Sequence, residues 1–192
     1  MRSLWGPRIQ ADQGLWWTRS TALSPFKFDN IFLICPTFAN NKTYHRIGEN
    51  DPGMFVIICD QHEVEKWLEF VRKYFNGTNT LIILDDCAAS KDVKGRTGEL
   101  VNLAFSARHI CISVWVLTQK MTGITASFRK NVAEIVLFYT PSAKTTKAFF
   151  DDYAGELSLD EYKGLVSKLK ERKYSYLVFS LRHPYGVKIY FE

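Results

Sequence analysis

The sequence predicts an α/β fold whose sheet is mostly parallel and covered by helices. Three observations carry that reading. Short runs of consecutive apolar residues recur along the chain, each of strand length. They are fully apolar rather than alternating, the pattern of strands buried on both faces. They alternate with stretches whose apolar residues fall at helical spacing, which is the signature of α/β architecture. The chain has 192 residues, 46% apolar and 23% charged, an ordinary globular balance with ample length for one core.

The elements follow in order. Residues 1–26 hold three of the five tryptophans, Trp5, Trp16 and Trp17, without clear periodicity. They read as an irregular segment ahead of an α/β domain over 27–192. Ile31 to Cys35 is an apolar run stopped by Pro36, and Asp51-Pro52-Gly53 marks a turn after a polar loop. Phe55 to Cys59 is a second short strand. Asp60 can cap the helix predicted over 61–76, with Val64, Trp67, Leu68, Val71, Tyr74 and Phe75 on its apolar face. Leu81 to Leu84 is a third strand, followed by a polar, basic loop from Lys91 to Thr97. A helix over 98–108 turns Leu100, Val101, Ala104, Phe105 and Ala107 inward. Ile110 to Leu117 is a fourth strand, and a partly helical stretch leads to a fifth at Glu134 to Tyr139. Two helices follow, the second opened by Ser158 and Glu161 in a capping-box pattern. The tail reads as two strands joined at His183-Pro184-Tyr185-Gly186.

No run reaches the roughly 18 apolar residues of a transmembrane helix, and the first residues lack the apolar centre of a signal peptide. The expectation is an intracellular, reducing compartment without membrane contact. Cys35, Cys59, Cys87 and Cys111 show no metal-ligand spacing and read as buried free thiols. Net charge is +5, unevenly spread. Residues 51–90 carry 3 Lys/Arg against 7 Asp/Glu, a net of −4; residues 91–150 carry 9 against 3, a net of +6. The basic block suits a polyanion, or is an ordinary solvated face.

In a parallel sheet, ligands gather beyond the carboxyl ends of the strands. Leu81-Ile82-Ile83-Leu84-Asp85-Asp86 delivers two acids to such an end. The first can hold Mg²⁺ through water, and the second can orient or deprotonate an attacking water. This is the Walker B arrangement; taken alone it also fits a loop acid or a helix cap. Thr118-Gln119 ends the following strand, where a Gln could reach a phosphate or its water, or simply close the strand.

Taken together, LIILDDCA, SARHICISVWVLTQ and ITASFRKNVAEIVLFY resemble the FtsK/HerA-type viral genome-packaging ATPases, those of poxviruses and Polinton transposons in particular. IFLICPTFANNKTYH is similar to that family's strand after the P-loop helix, so the resemblance spans roughly residues 28–192. It implies a P-loop NTPase-like (ASCE/RecA-like) sheet of order 5-1-4-3-2. It also implies an oligomeric ring in which ATP hydrolysis with Mg²⁺ drives DNA into capsids, in the nucleus or cytoplasm of a host cell. Residue by residue, Asp85 matches the Mg²⁺-associated acid and Asp86 the catalytic acid, with a side chain one methylene shorter than the common Glu. Gln119 matches the polar sensor, in contact with nucleotide. Arg129 matches a basic position able to contact phosphate, including that of a neighbouring subunit. Arg108, beside His109, lies in another family-like stretch and is a nucleotide-binding candidate. For both arginines a surface or interface salt bridge is the plainer alternative, and for His109 a semi-buried helix end.

The front of the chain departs from the pattern. GxxxxGK[ST], the Walker A loop, occurs nowhere. Gly6-Pro7 resembles its opening, but no Gly-Lys-Thr end follows. Such a front is what a truncated gene model, a shifted frame or a decayed element copy leaves. A chain without that loop lacks the backbone cradle, the lysine and the hydroxyl that hold phosphates and Mg²⁺. The expectation is therefore a packaging-ATPase-like domain with weak hydrolysis or none. The alternatives are a functional enzyme with an unfamiliar phosphate loop, a non-enzymatic remnant that binds DNA or protein, and an unrelated α/β fold. Weak, sequence-independent DNA contact is expected through Lys91, Lys94, Arg96, Lys120 and Lys130.

Overall fold

Among the described residues, eight strands form one sheet in the order β3-β2-β4-β5-β1-β6-β7-β8. The computed structural model describes residues 2–5, 28–40, 54–87, 97–119, 121–182 and 185–191. The strands are β1 (Arg2–Trp5), β2 (Asn30–Ile34), β3 (Met54–Ile57), β4 (Thr80–Leu84), β5 (Ile112–Thr118), β6 (Glu134–Phe138), β7 (Tyr176–Ser180) and β8 (Gly186–Tyr190). Pairing is parallel from β3 through β6. The last two strands join antiparallel, as a hairpin requires. Read from β6 to β2, the order β6-β1-β5-β4-β2 is the 5-1-4-3-2 order that the resemblance implies.

The α-helices among the described residues are α1 (Val64–Tyr74), α2 (Glu99–Ser106), α3 (Ala126–Arg129), α4 (Ala143–Tyr153) and α5 (Leu159–Glu171). Side chains alternate across a strand, so each strand serves two faces. Phe32, Ile34, Ile82, Leu84, Val114 and Val116 enter the larger core cluster, which receives Val64, Leu68 and Val71 of α1, Leu100 and Leu103 of α2, Phe128, Phe149, Tyr162 and Leu169. Leu33, Cys35, Leu81 and Ile83 form a second cluster on the opposite face, with Trp115 and Leu117 packed against it. Every helix named here contributes to the first face.

The C-terminal unit is tied on by aromatic packing. The Phe149 ring meets Phe179 edge-on at 4.9 Å and lies parallel to Tyr162 at 6.3 Å. Tyr162 donates its hydroxyl to the Thr146 carbonyl at 3.1 Å, so its burial leaves no orphaned polar atom. The capping box at Ser158 and Glu161 is present, both side chains bonding the opposite backbone N–H.

Several expectations are corrected. A strand occupies Arg2–Trp5, inside the segment read as irregular, while 6–27 lie outside the described residues. Four residues cannot display a period, and this strand's partners are more than a hundred residues away. Phe105 is 58% exposed, because the buried stripe of α2 is Leu100, Leu103 and Ala104, and Phe105 falls on the other side. Tyr74 is likewise exposed at the end of its helix. Asp60 does not cap α1: the helix begins at Val64, and Glu63 instead accepts from the Asp60 N–H. Cys35, Cys59 and Cys87 are buried thiols, but Cys111 is exposed in a left-handed turn before β5. His109 is exposed rather than semi-buried. The loop from Lys91 to Arg96, Asp51-Pro52-Gly53, Lys120 and the His183-Pro184 turn lie outside the described residues.

Candidate active site

All five residues of β4 are buried, and that run carries Asp85 into the protein with 3% of its surface exposed. The β2–β4 ladder continues one step past Leu84: the Asp85 N–H donates to the Ile34 carbonyl at 3.0 Å. The chain then turns sharply. Asp86 has φ of 53°, in the left-handed region. That conformation costs an L-residue roughly 1–2 kcal/mol and is visited chiefly by Gly, Asn and Asp.

Two neighbouring loops grip this turn. The Thr37 hydroxyl, just past β2, donates to Asp86 Oδ2 at 2.7 Å. Gln61, between β3 and α1, donates its Nε2 to the Asp86 carbonyl at 2.7 Å. Cys35 sits beside Asp85 and Thr37, its thiol 3.9 Å from Asp85 Oδ2 and 3.6 Å from Thr37 Oγ1. Burial pushes the Cys35 thiol up to about 11, with Asp85 and Asp86 adding to the rise against the hydrogen bond from Thr37. Burial also raises Cys87 well above the usual thiol range. Both thiols are therefore protonated at neutral pH, and Cys87 donates to the carbonyls of Asp85 at 3.3 Å and Ile34 at 3.5 Å.

The neighbouring tips complete the floor. β5 lies parallel beside β4, with Leu84 opposite Val116, so Thr118 and the exposed Gln119 end beside the acid pair. β1 follows on the other side of β5, with Trp5 level with Thr118 and with Leu137 of β6. The carboxyl ends of β2, β4, β5, β1 and β6 thus open at one edge of the sheet.

The arginines go elsewhere. Arg108 is exposed in a 3₁₀ turn over Ala107–Ile110, ahead of β5, and its Nε lies 3.4 Å from His109 Nε2. That is the amino end of β5, roughly 20 Å of extended chain from the tip. Arg129 lies on the crossover returning to the amino end of β6, and its Nη1 is 2.5 Å from Asp152 Oδ2 of α4. Within one chain, neither is brought to the acid pair. Lys130, next to it, is exposed.

The donor set fits Mg²⁺. That ion takes one or two carboxylates and fills its remaining positions with water and phosphate oxygen. Asp85 would supply the carboxylate, through water, whereas the thiol beside it is a poor ligand for a hard ion. Among the described residues, no group of three or more His, Cys, Asp or Glu side chains is arranged to enclose a metal by itself. Thr37, Gln61 and Cys35 are absent from the sequence-derived candidates. Thr37 had a usable signal, a polar residue just past a buried strand; nothing in the sequence marks Gln61.

The poxvirus A32 protein family matches residues 24–146 of the chain. Among solved structures, the genome packaging NTPase B204 from Sulfolobus turreted icosahedral virus 2, in complex with ATP-gammaS, is similar at a TM-score of 0.74 and 17% identity, over 99% of this chain and 96% of that one. The N-terminal domain of zonular occludens toxin from Neisseria meningitidis gives a TM-score of 0.52 at 12% identity, over 98% and 93%. The cytoplasmic domain of the Thermomonospora curvata type VII secretion ATPase EccC gives 0.62 at 12%, over 99% of this chain and 25% of that one. No curated protein matches the chain. These likenesses establish a P-loop NTPase-like fold of the genome-packaging type.

Proposed function

The chain belongs to the poxvirus A32 protein family, and from that premise we propose that it is a packaging-type ATPase domain impaired by the loss of its Walker A loop. The ancestral activity is ATP-driven translocation of viral or transposon DNA into capsids, by a homo-oligomeric ring, in the nucleus or cytoplasm. The observation that carries this reading is the placement of Asp85-Asp86 at the tip of β4, one strand from β5 and two from β1, in the 5-1-4-3-2 order.

The geometry supports these roles. Asp85, buried at the strand tip, is suited to hold Mg²⁺ through water. Asp86, one residue on and less buried, takes the proton of the attacking water. Gln119, exposed at the tip of the adjacent strand, orients that water or a phosphate oxygen. Bound Mg²⁺ would offset negative charge on the phosphates. Arg108 and Arg129, remote from their own acid pair, serve a neighbouring subunit's phosphates if they serve any.

A calorimetric titration with Mg·ATP tests the reading. The expected dissociation constant is no tighter than about 1 mM, because no glycine-rich cradle or P-loop lysine is present. Micromolar binding abolished by Asp85→Ala would overturn the impairment and restore an active enzyme. The missing loop also favours a second reading, a DNA- or protein-binding module without hydrolysis. That reading requires DNA binding unchanged by Asp85→Ala and Asp86→Asn.

A further inference from the structure

Asp86 holds a left-handed backbone conformation, uncommon for any residue but Gly, Asn and Asp, and such positions concentrate at working sites. The fixing groups come from far along the chain, Thr37 lying 49 and Gln61 25 residues before it. They take different parts of the residue, the hydroxyl holding a carboxylate oxygen and the amide holding the main-chain carbonyl.

The β2–β4 ladder does not need these bonds. It is already closed at its end by the Asp85 N–H on Ile34. Gln61 carries a cost as well: its Oε1 is buried with no hydrogen-bond partner among the described residues. Turning the amide over would set that oxygen against the Asp86 carbonyl, so the donor must face the turn and the acceptor must stay unsatisfied. An orphaned buried acceptor calls for an explanation beyond packing. Cys35 adds a third contact from the same strand tip, its protonated thiol facing Asp85.

We propose that Thr37 and Gln61 are positioning residues that lock the Asp86 turn and set the direction of its carboxylate. The inference rests on reading Asp86 as the water-activating acid. Thr37 governs the carboxylate and Gln61 the backbone beneath it. The edge of the sheet at β2 and β3 is thereby linked to the orientation of the base.

The test uses the full chain with ¹³C-labelled aspartate, the Asp86 carboxyl resonance being assigned by its loss in Asp86→Asn. At fixed pH, Thr37→Val should move that resonance and Thr37→Ser should return it, because serine keeps the hydroxyl. Gln61→Leu should accelerate hydrogen exchange at the amides of Asp86 and Cys87. In steady-state ATP hydrolysis, Thr37→Val should lower kcat about tenfold or more with KM within about twofold, and serine should rescue it. A resonance unmoved in Thr37→Val overturns the proposal, as does a moved resonance with kcat unchanged. Absence of hydrolysis in the wild type would be the full extent of the impairment proposed above and would bear on that reading alone. The resonance and exchange data would still decide whether Thr37 and Gln61 hold Asp86.

Discussion

Arg129 is bound to Asp152, the guanidinium Nη1 lying 2.5 Å from Oδ2 across the α3–α4 contact. The Tyr153 hydroxyl also reaches the Arg129 carbonyl, at 3.4 Å. Burial raises the Tyr153 phenol to about 12, so it remains a donor at any ordinary pH. In the single chain the Arg129 guanidinium is therefore paired with Asp152. Among the described residues its Nε is buried without a hydrogen-bond partner, which limits what the pair contributes. A double-mutant cycle with Arg129→Ala and Asp152→Ala, read by urea unfolding, should give a coupling of about 0.5–1 kcal/mol. Coupling near zero would mean that the pair is incidental and that Arg129 can leave it for a phosphate.

Phe149 joins α4 to α5 and β7 and is 1% exposed. Phe149→Ala should cost about 3–5 kcal/mol, through lost transfer energy and a cavity that its ring neighbours cannot fill. Urea denaturation measures this directly. A loss below about 1 kcal/mol would show that the C-terminal helices do not share the cooperative core.

Alkaline pH should weaken the fold in part through Cys35. Its thiol is raised to about 11 in the folded chain, against 9.0 ordinarily. A raised pKa means that the native state favours the protonated form, so the contribution is complete below pH 9 and lost as pH climbs toward 11. Thermal melts over that interval should fall faster for wild type than for Cys35→Ala. Parallel slopes would mean that the thiol is more open to water than its burial implies. Iodoacetamide should accordingly label exposed Cys111 well ahead of Cys35 at pH 8.

The positive block should make any DNA binding strongly salt-dependent. Changing Lys91, Lys94, Arg96, Lys120 and Lys130 to Ser should abolish retention of duplex DNA at low salt. A filter-binding series from about 50 to 200 mM salt reads the slope. Equal retention by wild type and variant would place the contact elsewhere.

The centre of the site was legible because its chemistry is local. Four aliphatics followed by two acids specify a buried strand with a carboxylate at its tip, and β5 then had to lie beside it to satisfy a short right-handed crossover. Thr37 and Gln61 were hidden for the opposite reason: their importance is a contact made across the sheet, and neither residue type marks it in advance. Arg108 shows the limit of motif reading. It lies in a suggestive stretch, but a strand's length separates it from the acids, and only the direction of β5 reveals which end it occupies. β1 was missed because four residues carry too little pattern to identify a strand whose neighbours form so much later in the chain.

That strand has a consequence for how the protein assembles. Arg2–Trp5 lies between β5 and β6, joining β3-β2-β4-β5 to β6-β7-β8. Leu4 pairs with Leu117 on one side and Val136 on the other. During synthesis, β1 leaves the ribosome long before either neighbour exists. β1 therefore waits unpaired until β5 and β6 have been made, and their facing edges close only when it docks between them. Contacts so distant in sequence slow folding, and unfilled edges invite pairing with other chains. A variant that weakens β1 should betray itself in vivo by aggregation during translation, before any loss of stability in the finished protein.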